Sequence, residues 1–121
     1  RYESERKLQV VDFTTEVERY MAACDVLFTK PGGLSTSEAA TMGVPLIHTK
    51  PIPGVESRNA KFFSSLGMSI YEKNVPAMVR RAVELAGDED AKREMIRRQH
   101  ENINPNAAGD ICDYIIRSAQ K

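Results

Sequence analysis

Residues 25–49 read DVLFTKPGGLSTSEAATMGVPLIHT, and the order of apolar and small residues in this stretch decides the fold. The apolar run Asp25–Thr29 predicts a strand that is covered on both faces of a sheet. Pro-Gly-Gly then interrupts the chain, and a helix is expected from about Ser35 to Met42, with Gly43 as its C-terminal stop. The run Pro45–Thr49 predicts a second buried strand. Two strands joined by one helix are expected to pair in parallel.

A further strand is predicted on each side of this stretch. Upstream lies Leu8–Phe13, a short run rich in β-branched residues, and downstream lies Met68–Tyr71, which is short enough for an edge strand. Five more helices are expected. The first follows Thr14 or Thr15, one of which would cap it. The others run from about Glu56 to Gly67, from Val75 onward, from Asp88 to Asn102 and from Asn106 to Gln120. Strands separated by single helices predict an α/β fold built on a parallel sheet.

Apolar residues at helical spacing predict which helix faces are buried. The expected core residues of the helices are Val17, Tyr20, Met21 and Cys24; Asn59, Phe62, Phe63 and Leu66; Val75, Met78, Val79, Ala82, Val83 and Ala86; and Ile111, Cys112, Ile115 and Ala119. The two cysteines are therefore interpreted as reduced core residues, with a pair between them as the alternative. Reduced thiols fit a cytoplasmic location.

The charge balance restricts the class of partner. The chain of 121 residues carries 17 basic and 17 acidic side chains, so it has no overall field that would attract nucleic acid. Nor does any apolar run approach the roughly 18 residues of a membrane span. The chain begins with Arg1 in the polar run RYESERK, from which we expect a piece of a longer polypeptide.

The Pro-Gly-Gly loop is the first candidate binding site. It comes after a predicted strand and precedes a helix, the position at which parallel sheets bind ligands. Unpaired N–H groups at the helix start favour an anion such as phosphate, and Gly32 and Gly33 would let its oxygens approach. Ser35, Thr36 and Ser37 add hydroxyls. The alternative is a tight turn with Ser35 as N-cap and Glu38 as its capping-box partner, whereas a carboxylate at Glu38 also suits ribose hydroxyls.

The next loop, PIPGVESRNA at residues 51–60, is expected beside the first one if the two strands are neighbours. Its prolines and Gly54 would fix the path of the backbone. Glu56, Ser57, Arg58 and Asn59 would offer hydrogen bonds that suit sugar hydroxyls. The alternative is an ordinary helix start with acidic capping by Glu56.

Several other motifs favour structural roles. Asp88-Glu89-Asp90 has the D-x-D pattern of metal sites, but helix capping is the preferred interpretation. His48 lies in an apolar strand and is expected to be a hydrogen-bonded core residue, whereas His100 is expected to face solvent. A basic stretch could contact anionic lipid, although interspersed acids favour a solvated face; it contains Lys92, Arg93, Arg97 and Arg98.

Residues 24–63, CDVLFTKPGGLSTSEAATMGVPLIHTKPIPGVESRNAKFF, resemble a known family. The stretch is similar to the donor-nucleotide domain of GT-B glycosyltransferases, in the family of monogalactosyldiacylglycerol synthase and processive diacylglycerol glucosyltransferase. The lipid I N-acetylglucosaminyltransferase of peptidoglycan synthesis is a more distant relative. The resemblance covers about residues 8–73 and depends on KPGG, the Glu five residues after its second Gly, G-x-P and PIPG-x-E-x-x-NA.

The resemblance implies the carboxyl-terminal part of a Rossmann-like GT-B donor domain with extra C-terminal helices. It implies an inverting transferase that moves a hexose from UDP-glucose or UDP-galactose to a lipid such as diacylglycerol, at the cytoplasmic face of the membrane. By this resemblance Gly32, Gly33, Leu34, Ser35 and Thr36 hold the diphosphate, Glu38 binds the ribose, and Gly54, Glu56 and Asn59 belong to the sugar side of the site. No bound metal is implied, because the helix start would stabilise the leaving UDP.

Two departures from the family limit what the resemblance implies. Val55 stands where relatives commonly have Gln, which leaves the donor sugar open. The first two strand–helix units of the donor domain and the acceptor domain with its general base are missing from residues 1–121, so we expect this chain alone to be inactive and to self-associate through an exposed strand edge. The alternative is a stand-alone nucleotide-binding or regulatory module without catalysis. A sugar-nucleotide epimerase is disfavoured, since KPGGLSTSE has one carboxylate and no histidine.

Overall fold

Three short strands form one parallel sheet in a computed structural model that describes residues 8–121. The strands are β1 (Leu27–Thr29), β2 (Leu46–His48) and β3 (Ile70–Tyr71), in the order β1-β2-β3. In the register, Leu27 lies opposite Leu46 and Ile47 lies opposite Ile70. The α/β class, the parallel pairing and the edge position of β3 are confirmed.

Six helices surround this sheet in the described residues. They are α1 (Val17–Ala23), α2 (Gly33–Met42), α3 (Val55–Ser65), α4 (Val75–Gly87), α5 (Glu89–Asn102) and α6 (Ala107–Ala119). Each helix lies within about two residues of its predicted position. The arrangement of strands and helices is that of a Rossmann-like fragment.

The core has two halves because neighbouring side chains on β2 point to opposite faces of the sheet. Leu46 packs in a cluster with residues of α1, α2 and α3, namely Met21, Ala39, Ala40 and Phe63, together with Val44 and Met68. Ile47 packs in a second cluster with Ala82, Leu85 and Met95 of α4 and α5. The central strand β2 is thus covered on both faces, as the sequence predicts.

Gln99 of α5 holds the amino ends of β2 and β3 together. Its Nε2 donates to the carbonyl of Val44, 2.9 Å away, and to the carbonyl of Met68, 3.0 Å away. Gln99 is fully buried, and its Oε1 has no hydrogen-bond partner in the described part of the chain. The side chain therefore fixes the edge of the sheet opposite to the two candidate loops.

Gly43 ends α2, as predicted. It has the left-handed conformation, with φ of 70°, and the N–H of Val44 then donates to the carbonyl of Ala39 at 2.9 Å. A Cβ on Gly43 would lie 3.1 Å from Ile96 and from the His100 ring, so α5 passes close to this turn. The left-handed backbone conformation strongly favours glycine here, and the close contact with α5 adds to that preference.

The strand predicted at Leu8–Phe13 is wrong. These residues are irregular, and the side chain of Phe13 is 85% exposed. Strand propensity describes residues that suit a pleated, half-buried surface, and a run without a neighbouring strand has no such surface. The helix after this run is confirmed, but the predicted cap at Thr14 or Thr15 is wrong, because the N-cap residue is Glu16 and no side chain of the described residues caps the helix. The Thr14 hydroxyl accepts from the N–H of Glu16 instead.

The predicted packing of the later helices is also wrong in part. No residue of α6 is buried by the described chain, although Ile111, Cys112, Ile115 and Ala119 were expected to pack. In α4, Ala82 and Leu85 are buried, whereas Val75, Val79, Val83 and Ala86 are exposed. Phe62 of α3, Tyr20 of α1 and Phe28 of β1 are exposed as well, so β1 is not covered on both faces. A periodic apolar face shows that a helix is suited to packing but does not supply the partner.

Both cysteines are free thiols, and their environments differ. Cys24 is half-buried and contacts the carbonyl of Met21, as expected near a core. Cys112 is exposed on α6, which contradicts the expected core position. None of the helices in residues 8–121 has both the length and the hydropathy of a membrane span.

Candidate functional site

The two candidate loops lie side by side. β1 and β2 are parallel neighbours, so the loop after β1 and the loop after β2 leave the same edge of the sheet. The N–H of Thr49 donates to the carbonyl of Thr29 at 2.9 Å, which continues the pairing to the ends of both strands. The expected adjacency of the loops is confirmed.

The start of α2 offers hydrogen-bond donors. In an α-helix the first N–H groups have no acceptor within the helix, and here they belong to Gly33, Leu34 and Ser35. No side chain of the described residues caps this helix. Leu34 is 80% exposed and Ser35 is exposed, so this turn faces solvent. Free donors and the positive end of the helix dipole together favour an anion.

The helix begins two residues earlier than the sequence predicts, and this changes the role of Ser35. Gly32 is the N-cap residue, with the extended φ and ψ of −75° and 159° that this position takes. Ser35 therefore lies within the first turn, and the predicted capping box of Ser35 and Glu38 is wrong. Both side chains are exposed and are not used to cap the helix.

Gly32 and Gly33 leave open space in front of the helix. A Cβ added to either residue would meet no atom of residues 8–121 within 4 Å, apart from its immediate surroundings in the chain. Neither residue has a positive φ. Internal packing and backbone conformation therefore do not require glycine at these two positions. Small residues here keep the N–H groups accessible to a bulky partner.

Thr36 supports the loop from inside. Its side chain is buried, and its hydroxyl lies 3.5 Å from the carbonyl of Lys30 and 3.3 Å from Nε2 of His48. The expectation that this hydroxyl donates to a ligand is therefore wrong, because the group points into the protein. It connects the loop after β1 to the central strand instead.

His48 is a hydrogen-bonded core residue, as predicted. The side chain is fully buried, and its Nδ1 lies 3.1 Å from the hydroxyl of Ser69. A neutral imidazole has one N–H and one acceptor nitrogen, so the hydroxyls of Thr36 and Ser69 satisfy both. Desolvation by burial lowers the pKa of His48 from 6.5 to about 4, which keeps the ring neutral at pH 7.

The second loop is closed by its own side chains. Gly54 has φ of 110°, a conformation that favours glycine, and α3 begins at the next residue. Oε2 of Glu56 accepts from the N–H of Ile52 at 2.7 Å. The hydroxyl of Ser57 donates to the carbonyl of Ile52 at 3.5 Å. Glu56 thus shapes the loop instead of capping the helix N–H groups.

Asn59 connects the two loops. Its Nδ2 donates to the carbonyl of Pro31 at 3.0 Å, although 28 residues separate them in the chain. The sequence places Asn59 near a sugar and gives no sign of this contact. No local pattern could have indicated it, because the contact depends on the pairing of β1 with β2.

Glu38 lies on the second turn of α2 beside an open groove of about 550 Å³. The opposite wall is the connection between α5 and α6, including Asn104, Pro105 and Ala107. This wall was not predicted, because the last third of the chain has no recognisable chemical motif. The groove places the exposed carboxylate of Glu38 beside open space along the second half of α2.

Two lysines near the loops were also missed. Lys30 comes directly after β1, and Lys50 comes after β2 with one residue between, so their backbones lie at the same edge of the sheet. Both side chains are exposed. Their positive charges add to the potential that the helix start presents to an anion.

The other motifs have structural roles. Oδ1 of Asp88 accepts from the N–H of Ala91 at 2.9 Å, so the acidic run caps α5 as predicted. Arg93, Arg97 and Arg98 of the basic stretch are exposed and form ion pairs with neighbouring acids, Arg93 with Asp90, Arg97 with Glu94 and Glu101, and Arg98 with Glu94, which fits the predicted solvated face. The prediction is wrong for Lys92, whose side chain is buried and pairs with Glu89 and Asp25. His100 is exposed, as predicted. No group of three or more His, Cys, Asp or Glu side chains in residues 8–121 is arranged to hold a metal ion.

Comparison with known proteins gives one consistent result. The chain is 30% identical over 114 residues to "Processive diacylglycerol beta-glucosyltransferase" of Bacillus subtilis, covering 94% of this chain and 30% of that protein. It is 34% identical over 89 residues to the protein of the same name in Bacillus licheniformis, covering 74% of this chain and 23% of the relative. The chain is homologous to part of these glycosyltransferases, and the family resemblance is confirmed.

The similarity extends beyond these two relatives. A Bacillus cereus protein of the same name is 29% identical over 109 residues, which is 90% of this chain and 28% of that protein. The chain therefore spans less than a third of the length of the curated relatives it matches. No protein-family model matches it.

Proposed function

We propose that this chain is the UDP-sugar-binding part of an inverting glycosyltransferase that moves a hexose to a lipid acceptor such as diacylglycerol. The observation that carries the proposal is the start of α2, where three N–H groups that no side chain of residues 8–121 caps lie beside a space that Gly32 and Gly33 keep open. The named activity of the relatives supports a sugar donor and a lipid acceptor.

In this proposal the donor diphosphate lies against the first turn of α2. The N–H groups of Gly33, Leu34 and Ser35 donate to its oxygens, and the exposed hydroxyl of Ser35 adds a further donor. Gly32 allows the close approach, and Thr36 contributes by holding the loop from inside. Charge that develops on UDP as the glycosidic bond breaks is stabilised by donors that are already oriented, so the leaving group needs no metal ion.

The remaining site residues surround the rest of the donor. Glu38 accepts from the ribose hydroxyls, and the groove beside it leaves room for a sugar ring. Gly54 and Glu56 shape the second loop on the side of the hexose, where Asn59 also lies. Val55 is 70% exposed at the start of α3. Its apolar side chain cannot make the hydrogen bond to the sugar that a Gln at this position could make.

The chain alone is not proposed to catalyse transfer. The acceptor-binding part, its general base and two further strand–helix units of the donor domain belong, in this proposal, to the remainder of a polypeptide as long as the relatives. Such an enzyme would act at the cytoplasmic face of a membrane as a peripheral protein, because the donor is water-soluble and the acceptor is a lipid.

An NMR titration of the chain tests the proposal directly. Addition of UDP is expected to shift the amide resonances of Gly33, Leu34 and Ser35, whereas uridine, which lacks phosphates, leaves them in place. The control amides are those of residues 111–119 in α6, which do not line the groove beside Glu38. Unchanged resonances at the start of α2 with millimolar UDP would refute the proposal.

A chimaera separates the enzyme from a binding module without catalysis. The chain replaces its matching segment in the Bacillus subtilis relative, and transfer from radiolabelled UDP-glucose or UDP-galactose to diacylglycerol is measured. Transfer supports the proposed enzyme and identifies the donor. A chimaera that binds UDP but transfers neither sugar favours the stand-alone nucleotide-binding module.

Self-association of this chain through β1 forms part of the proposal. Within residues 8–121, β1 has a neighbour on one side only, and Phe28 on that strand is 44% exposed. An open strand edge with an apolar residue is suited to pairing with a second copy. Light scattering is expected to give a mass above the 13.5 kDa of one chain, and Phe28→Lys should shift it towards the monomer. A monomer at all concentrations would contradict this part.

A further inference from the structure

We propose that Asn59 is a positioning residue of the diphosphate site. From α3 it fixes the peptide unit between Pro31 and Gly32, which comes directly before the first free N–H group of α2. This inference rests on the proposed function and assigns Asn59 a role that differs from contact with the donor sugar.

Both polar atoms of this peptide unit are engaged in hydrogen bonds. The carbonyl of Pro31 accepts from Nδ2 of Asn59 at 3.0 Å, and the N–H of Gly32 donates to the carbonyl of Lys30 at 2.8 Å. Rotation of the peptide plane would break both hydrogen bonds at once. The Pro31 side chain is fully buried, which holds the same unit in place from its other side.

Two adjacent glycines make this constraint necessary. Gly32 and Gly33 come directly after Pro31, and glycine has more backbone freedom than any other residue. Without a constraint, the N–H of Gly33 would sample many directions, and ordering it would oppose ligand binding. Asn59 constrains the peptide unit before Gly32 from a rigid helix. The two glycines can therefore leave space for a ligand while the N–H of Gly33 keeps its direction.

The contact also ties the two loops to one geometry. Asn59 lies one turn into α3, whose start is fixed by Glu56 and Gly54 of the second loop. A displacement of the second loop would therefore also displace the first loop, because Asn59 links the two. Donors for the diphosphate and groups on the sugar side are held at a constant separation.

The test compares the affinity of three ligands for the chain and its variants, measured by NMR titration of the amides of Gly33 to Ser35. The ligands are UDP, inorganic pyrophosphate and UDP-glucose. Asn59→Ala is expected to weaken all three by about tenfold, the size expected for one lost hydrogen bond that orders a site. The loss is the same for all three, because positioning acts on the diphosphate that they share.

Two further variants make the test specific. Asn59→Asp keeps the size of the side chain but cannot donate to Pro31, and its negative charge is repelled by the Pro31 carbonyl oxygen, so a larger loss is expected. Ser65→Ala is the matched control, since Ser65 is exposed near the other end of the same helix and its hydrogen bond to the carbonyl of Phe62 stays within α3. This control should keep the wild-type affinity, and thermal unfolding checks that every variant folds.

The outcomes are distinguishable. Equal UDP affinity in the wild-type protein and Asn59→Ala would overturn this inference and leave the proposed function standing. A loss confined to UDP-glucose would also overturn it, because that result means direct contact with the sugar. A wild-type chain whose amides respond to none of the three ligands would overturn the proposed function and this inference with it.

Discussion

Lowering the pH from 7 to 4.5 is expected to destabilise the protein through His48, whose neutral ring is buried between two hydroxyls. Its pKa is about 4 in the folded chain against 6.5 for a solvated histidine. Because the unfolded state binds the proton more tightly, the full contribution of His48 to stability is present above pH 6.5. It is lost progressively as the pH falls towards 4.

The size of the effect is set by the two pKa values. Between them, each pH unit lowers the free energy of unfolding by up to about 1.4 kcal/mol. Integration of this slope gives a loss of about 2 kcal/mol between pH 7 and pH 4.5, and about 3 kcal/mol once the pH is well below 4. Such a loss is a large part of the stability of a small domain.

Urea unfolding monitored by circular dichroism at half-unit steps of pH measures this loss. His48→Gln removes the titrating ring and should flatten the curve between pH 6.5 and 4.5, even though the variant is less stable at pH 7. His100→Gln replaces the exposed histidine and leaves His48 in place, so the loss through His48 should remain. Glu94, whose pKa is lowered to about 2 by hydrogen bonds from Arg97 and Arg98, is common to all three proteins and cancels. Parallel curves for the wild-type protein and His48→Gln would refute the reasoning.

Three further perturbations test the site and the core. Gly33→Ala is expected to raise the free energy of unfolding by about 0.5 kcal/mol, since its φ is not positive and its Cβ meets no neighbour, while UDP binding measured by calorimetry weakens. Glu38→Ala should weaken UDP binding by about 1.5 to 3 kcal/mol through lost hydrogen bonds from the ribose and leave pyrophosphate binding unchanged. Gln99→Leu leaves the buried carbonyls of Val44 and Met68 unpaired and should cost about 2 to 4 kcal/mol in urea unfolding.

Each of these has a clear contrary result. Unchanged UDP affinity in Gly33→Ala would mean that the ligand does not approach the start of α2. An equal loss of UDP and pyrophosphate binding in Glu38→Ala would show that Glu38 does not act through the ribose. A Gln99→Leu variant as stable as the wild-type protein would show that water or a backbone shift satisfies the two carbonyls.

The sequence predicts the fold between residues 25 and 71 well because the signals there are local. Apolar runs mark β1 and β2, and glycines mark the ends of α2 and α3. The buried, hydrogen-bonded state of His48 was also predictable, since its neighbours in the strand are apolar. Each of these features depends on residues within a few positions of one another.

The features that the sequence could not predict depend on distant pairs. The contact of Asn59 with Pro31 spans 28 residues, and the contacts of Gln99 span 55 and 31 residues. The sequence predicts the start of α2 two residues late, because serine is a stronger N-cap signal than glycine. In the structure the N-cap residue is Gly32. Periodicity likewise could not show that the apolar face of α6 has no partner within the described chain.

The tight approach of α5 to Gly43 has a consequence for sequence variation. Any side chain at position 43 would push on Ile96 and His100, which lie on either side of Gln99 along the same helix. A shift of that helix would move the Gln99 amide away from the amino ends of β2 and β3. A saturation library at position 43, selected for folded protein, should therefore recover glycine almost alone, whereas the same library at position 33 should tolerate many residues until binding is selected.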